Sequence, residues 1–257
     1  MQTLDVSAEM IMGDRDHQED CVAFSVNNSA TSAFIVLADG MGGHKAGEIA
    51  SALVVKHMLT YFKTHILDQE LSDADIRVLL RHSVEQANTK LSRYQEKYPD
   101  TRGMGTTLIA ALLQEDRLYW ISVGDSLLLK FENGALERLN EDHSYAEILS
   151  RKVAVGEMDA HAAAVDPRRS QLTSAMIGRP IPKIDLNSYE IEADSTAAFV
   201  VASDGLLTCS DDRIVALSTE HATVSSAQFA RALVQDVIAA CAPNQDNTSV
   251  AVLRLGV

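Results

Sequence analysis

Five short acidic elements stand where apolar runs of strand type begin or end. Phe34-Ile35-Val36-Leu37-Ala38 runs into Asp39-Gly40, and Phe199-Val200-Val201-Ala202-Ser203 runs into Asp204-Gly205. Asp125-Ser126 follows Ile121-Ser122-Val123-Gly124 in the same way. Asp246-Asn247 stands immediately before Thr248–Leu255, and Glu19-Asp20 immediately before Cys21–Val26. Any one pair reads as turn chemistry, since Asp-Gly and Asp-Asn are common in turns. Five together, each abutting an apolar strand, read as a site. In an antiparallel sheet the end of one strand lies beside the start of the next, so Asp39, Asp204 and Asp246 can meet at one edge. Two carboxylates about 4 Å apart repel by roughly 4 kcal/mol at an effective dielectric of 20. A cluster of them needs protons or cations. Hard oxygen ligands select Mg²⁺, Mn²⁺ or Ca²⁺.

Two further features flank the acids. Asp39-Gly40-Met41-Gly42-Gly43-His44 carries three glycines. They let main-chain carbonyls approach a metal or a phosphate that side chains would otherwise block. The run is no P-loop, because no Gly-Lys-Ser/Thr follows. Arg15 lies five residues before Asp20. A guanidinium beside a carboxylate–metal cluster is a bidentate clamp for a phosphate. On spacing alone, Arg15 reads equally as a surface arginine in a loop charged by Asp14, Asp16, Glu19 and Asp20.

The elements that must position these residues are legible as hydrophobic periodicity. Strands are expected at Cys21–Val26, Ala33–Ala38, Thr106–Leu113, Leu118–Val123, Leu127–Glu132, Ala135–Leu139, Ile184–Ile191, Ala197–Ala202 and Thr248–Leu255. Asn133-Gly134 is a hairpin turn signal. A helix is expected over Glu48–Ile66. A second is expected from Ser72, with Asp75 as capping-box partner, to Pro99. A third follows Ser225 with Phe229, Leu233, Val237 and Ala240 on one face. Short turns between strands imply antiparallel pairing, and helices covering two packed sheets would bury every stripe. The stretch from about Asp142 to Pro182 has weaker periodicity and reads as a mostly helical, mobile insertion. No Pro/Gly/Ser-rich linker divides the chain, so one domain is the default.

Composition narrows the function classes. The 257 residues hold 22 Lys+Arg against 36 Asp+Glu, a formal charge of −14. That acidity argues against nucleic-acid and anionic-membrane binding, both of which want a basic face. A hydrophobic share of 46% excludes a disordered chain. Cys21, Cys209 and Cys241 are too few and too scattered for a disulfide framework or a zinc site, and read as small buried thiols. The start lacks the pattern of a secretory leader, and no apolar run reaches the ~20 residues of a membrane helix. A soluble, cytoplasmic protein is expected.

The motifs together resemble a known family. Arg15-Asp16-His17-Gln18-Glu19-Asp20, Asp39-Gly40-Met41-Gly42-Gly43-His44, Gly105-Thr106-Thr107, Val123-Gly124-Asp125-Ser126, Ser203-Asp204-Gly205 and Asp246-Asn247 occur in the order and rough spacing of the type 2C metal-dependent protein phosphatases. Asp166-Pro167-Arg168-Arg169-Ser170 to Gly178 is similar to that family's flap. The form Asp-Gly-Met-Gly-Gly resembles the compact bacterial branch. The resemblance implies an α+β fold: a four-layer α-β-β-α sandwich of two antiparallel sheets flanked by helices. It implies a single catalytic domain over residues 1–257 with a flap at about 142–182. It also implies two core Mn²⁺ or Mg²⁺ ions and a third, weaker position. Asp39 would bridge both core metals, and the Gly40 carbonyl would ligate one. Asp204 and Asp246 would hold the first, and Glu19 and Asp20 would support the second. Asp125 would mark the third, with Ser170 near it, and Arg15 would hold the substrate phosphate.

Some positions depart from the family pattern. Met41 stands where animal members carry a histidine proposed as general acid, which leaves the leaving-group acid unassigned and the role of nearby His44 open between structure and catalysis. Gln18 stands where Asn is usual, Leu127 where an Arg often follows Gly-Asp-Ser, and Asp166 where His is usual. The expected reaction is hydrolysis of phosphoserine and phosphothreonine in proteins, opposing a serine/threonine kinase, with no covalent intermediate. Two other classes stay in view: a two-metal phosphoesterase for nucleotides or small phosphates, and a non-catalytic phosphoprotein reader. A Ca²⁺-stabilised structural domain does not fit, because the acids do not follow the EF-hand pattern.

Overall fold

The computed structural model describes residues 4–42, 46–67, 69, 71–192 and 195–255. The chain opens with β1 (Leu4–Ile11), β2 (Asp20–Val26) and β3 (Ser32–Met41), then two long helices, α1 (Ala46–His65) and α2 (Asp73–Lys97). β4 (Gly105–Thr106), β5 (Leu108–Gln114), β6 (Arg117–Val123), β7 (Leu127–Glu132) and β8 (Ala135–Arg138) follow. Next come the short helices α3 (Tyr145–Ala154) and α4 (Ala160–Ala164), then β9 (Asp185–Glu190) and β10 (Ala198–Ala202). Helices α5 (Asp211–Glu220) and α6 (Ser226–Ala240) lead into the final strand β11 (Thr248–Leu255).

These strands form two antiparallel sheets. One runs β1-β11-β10-β7-β8, the other β2-β3-β5-β6-β9 with β4 added on β3. Three apolar layers follow from the side-chain alternation of strands covered on both faces. Ile35 and Leu37 of β3 meet Phe199, Val201 and Leu253 between the sheets. Phe34, Val36 and Ala38 face the other way, under α1 and α2, where Phe34 stacks on Phe62 at 3.7 Å between ring centroids. Val200, Ala202 and Leu129 lie under α6 with Phe229 and Leu233. The expected four-layer sandwich is the observed one. At α2 the Ser72 hydroxyl accepts from the Asp75 amide and the Asp75 carboxylate accepts from the Ser72 amide, the expected capping box.

Four expectations need correction. The edge strand β1 has no counterpart among the expected strands, although Leu4, Val6 and Ala8 alternate with polar residues and pack into the inter-sheet layer. Helix α5 is likewise absent from the expected elements; it is ten residues long and buries little beyond Ile214 and Leu217, so its stripe is short. The stretch 142–182 is not mostly helical: it holds helices of ten and five residues. Pro167, Pro180 and Pro182 deny its second half the helical main-chain donors. Cys209 is buried as expected, but Cys241 is exposed at the left-handed C-cap of α6. Among the described residues no helix is long and apolar enough to cross a membrane.

Candidate metal centre

The antiparallel registers bring the acids to one end of the sandwich. Asp20 opens β2 directly opposite Asp39 near the end of β3. Ala202 at the end of β10 pairs with Val250 near the start of β11, so Asp204 and Asp246 leave the other sheet at the same end. Asp125 lies in the turn that carries the chain from β6 in one sheet to β7 in the other. Asp39 and Asp204 line the same groove.

Main-chain and hydroxyl contacts fix each acid. The Asp39 amide donates to Thr107 Oγ1 at 2.9 Å, and its carbonyl accepts from the Thr107 amide and from Thr106 Oγ1, both at 2.8 Å. This docking interrupts the single strand expected over Thr106–Leu113. Ser203 Oγ donates to Asp20 Oδ2 at 2.7 Å. Gln18 Oε1 accepts from the Asp20 amide at 3.1 Å while its Nε2 donates to the Ile11 carbonyl, so glutamine serves where the family usually has asparagine. Arg138 donates to the Asp125 carbonyl at 2.9 Å and to that of Ser126 at 3.3 Å. That guanidinium supports the turn, whereas Leu127 is buried in the layer under α5 and α6.

Burial makes the charge problem acute. It is the largest cause pushing up the carboxyls of Asp39, Asp20, Asp125, Asp204 and Glu19. The neighbouring carboxylates add to it: Asp20, Asp204, Asp125 and Asp246 all raise Asp39, which lies well above the usual range. Asp20 is pushed up to about 6 and Asp125 to about 7. Three carboxylate oxygens, Glu19 Oε1, Asp20 Oδ1 and Asp204 Oδ1, are buried with no hydrogen-bond partner. A buried acceptor left this way is costly unless a cation meets it. Among the described residues no three His, Cys, Asp or Glu side chains converge on a single point. Crowded carboxylates with orphaned oxygens fit a hard divalent cation, not a soft one.

Arg15 stands at the rim, its Nη2 2.5 Å from Asp246 Oδ2 and both side chains about half exposed. Asn247 ties the Arg15 loop down: its Nδ2 donates to the carbonyls of Met12 and His17, and its Oδ1 accepts from the Glu19 amide at 2.7 Å. The Asp246-Asn247 motif alone carries no sign of this role for Asn247. Beside the acids a groove of about 910 Å³ is lined by Asp39, Met41, Asp125, Ser170, Ile177 and Arg179 among others. Ser170 and Asp125 thus share one groove. His44 lies outside the described residues.

A family model described as Protein phosphatase 2C matches residues 13–252. The chain belongs to the protein phosphatase 2C family. It is 32% identical over 194 residues to the Serine/threonine phosphatase stp of Listeria welshimeri, covering 75% of this chain and 73% of that one. Among solved structures it is similar to the Mycobacterium tuberculosis serine/threonine phosphatase PstP/Ppp, with TM-score 0.83, 28% identity and 100% of both chains covered. It is also similar to the catalytic domain of PstP in complex with two manganese ions, at TM-score 0.79, 28% identity and 100% coverage of both. Met41 lies on the groove wall and has no proton to give. Among the described residues lining the groove there is no histidine.

Proposed function

We propose that this chain removes phosphate from phosphoserine and phosphothreonine in proteins, using Mn²⁺ or Mg²⁺. The observation that carries this reading is the set of orphaned carboxylate oxygens at shared strand ends with a guanidinium at their rim. The names of the relatives, and the two manganese ions held by PstP, support it. Asp39 with the Gly40 carbonyl, Asp204, Asp246, Glu19 and Asp20 would hold the two core ions, and Asp125 a third. When bound, such ions lower the pKa of a water towards neutrality and offset phosphoryl charge. Arg15 swings from Asp246 to the substrate phosphate and orients it. Thr106, Thr107 and Ser203 keep the acids in place while charge develops. With Met41 unable to donate, the leaving alkoxide takes its proton from water. The flap at about 142–182 belongs to the same catalytic domain and borders the substrate. A serine/threonine kinase supplies the phosphoproteins, and the setting is cytoplasmic signalling.

A substrate panel tests the class: phosphothreonine and phosphoserine peptides should be hydrolysed with kcat/KM well above that for nucleotides and sugar phosphates. A preference for nucleotides would overturn the protein-phosphatase reading. Arg15→Ala should raise KM for a phosphopeptide about tenfold or more with a smaller change in kcat, as loss of phosphate binding requires. Its ion pair with Asp246 is half exposed and worth little to stability, so thermal unfolding should barely move. An unchanged KM would remove Arg15 from the site.

A further inference from the structure

The mechanism above leaves one buried imidazole unused. His143 is 1% exposed and lies between the turn bearing Asp125 and the segment that walls the groove. Towards the turn, its amide donates to the Gly124 carbonyl at 3.0 Å, and its ring Nδ1 accepts from the Gly124 amide at 3.2 Å. Towards the groove wall, its carbonyl accepts from the Thr173 amide at 2.7 Å and from Thr173 Oγ1 at 2.8 Å. The next residue, Ser144, bridges Leu172. Two segments distant in sequence are therefore gripped by one residue.

The turn itself requires such a grip. Gly124 has φ +108°, and a Cβ there would lie 2.7 Å from the Thr107 side chain. The turn is thus pressed against the threonine that holds Asp39. Arg138 and Asn140 hold its far side through the carbonyls of Asp125 and Ser126. Thr107 Oγ1 meets Ser126 Oγ at 2.8 Å, and the His143 ring holds the Gly124 amide. Because Nδ1 is the acceptor, the neutral ring carries its proton on Nε2, which is buried without a partner. Burial, with Lys183 nearby, lowers the ring's proton affinity, against an opposing pull from Glu141, Asp185 and Asp142; Glu141 Oε2 lies 3.8 Å from Nε2.

We propose that His143 is a positioning residue that locks the Thr173 wall of the groove to the Gly124–Asp125 turn, so that the substrate groove and the Asp125 carboxylate are held in register. The inference rests on the phosphatase reading for its consequence in catalysis, but the lock itself is a property of the fold.

Three variants separate the lock from simple packing. Asn places its side-chain oxygen where Nδ1 stands, Gln places its polar group where Nε2 stands, and Leu fills space with no acceptor. Main-chain amide hydrogen exchange is read at Gly124 and Thr173 in the full chain. His143→Leu and His143→Gln should exchange roughly tenfold or more faster there than wild type, with His143→Asn within about threefold. KM for a phosphothreonine peptide should follow the same order. If His143→Leu does not fold, the Asn and Gln pair decides. Equal exchange in all folded variants, or Asn behaving as Gln does, would overturn the lock. Exchange needs no activity, so wild type failing to hydrolyse the peptide would count against the phosphatase reading alone. A flat exchange pattern in an active enzyme would count against the lock alone.

Discussion

Asp39→Asn is expected to lower kcat for a phosphothreonine peptide by on the order of 10³ or more, with the chain still folded. Asp39 is held by its own main chain, through Thr106 and Thr107, so its side chain is free of structural duty. The amide keeps the volume of the carboxylate and loses its charge and one acceptor. Four other acids raise the proton affinity of Asp39, so in metal-free protein the same substitution removes a repulsive partner. Metal-free Asp39→Asn should therefore melt no lower than metal-free wild type. The sign follows from linkage: an acid whose folded pKa is raised costs stability as pH rises through it. Activity and stability thus move in opposite directions, as at a site and unlike a structural buried acid. Near-full activity, or collapse of the fold, would contradict the assignment.

Gly40→Ala is expected to cost both stability and activity. A Cβ at position 40 would overlap the Gly47 carbonyl oxygen and stand 2.7 Å from that of Glu19. Neither partner is a flexible side-chain end. One belongs to the first turn of α1, and the other accepts the Gly40 amide itself at 3.0 Å. A backbone clash of about 3 kcal/mol is the upper end for overpacking, and lowers Tm by roughly 6–12 °C in a domain of this size. Relief by moving β3 away would displace Asp39 and the Gly40 carbonyl together, so activity should fall more than stability does. Thermal melts and peptide kinetics on the same preparation check this. Wild-type Tm with wild-type activity would show that the end of β3 tolerates a side chain and is not closely packed.

The positions of the acids were legible because the apolar runs end abruptly at them. Once Asp39 and Asp204 are read as strand ends, antiparallel pairing leaves few places for Asp20 and Asp246 to go, and the registers put them there. The capping box at Ser72 and the layers around Phe34 were legible for the same reason: each rests on spacing within one element. What escaped acts across elements. Arg138, Asn140 and His143 reach back to the carbonyls and amides of residues 124–128. A side chain bonded to distant main chain leaves no periodic trace. Asn247 clamps the Arg15 loop from more than two hundred residues away in sequence. Helix α5 escaped because its buried stripe is short, and the flap because its main chain is held by isolated bridges, not by a repeating pattern. The departure at Leu127 reads differently with the fold in view, since Arg138 supplies a guanidinium to the same turn.

On the proposed reading the gathered carboxylates hold the cations that hydrolysis requires. The most direct test is phosphate release from a phosphothreonine peptide by metal-stripped protein as Mn²⁺ is added back. No release is expected in excess chelator, with a return to full rate on Mn²⁺ and a matching rise in Tm, because ions that bind only the folded chain stabilise it. Full-rate release in excess chelator, or none at any Mn²⁺ concentration, would contradict it.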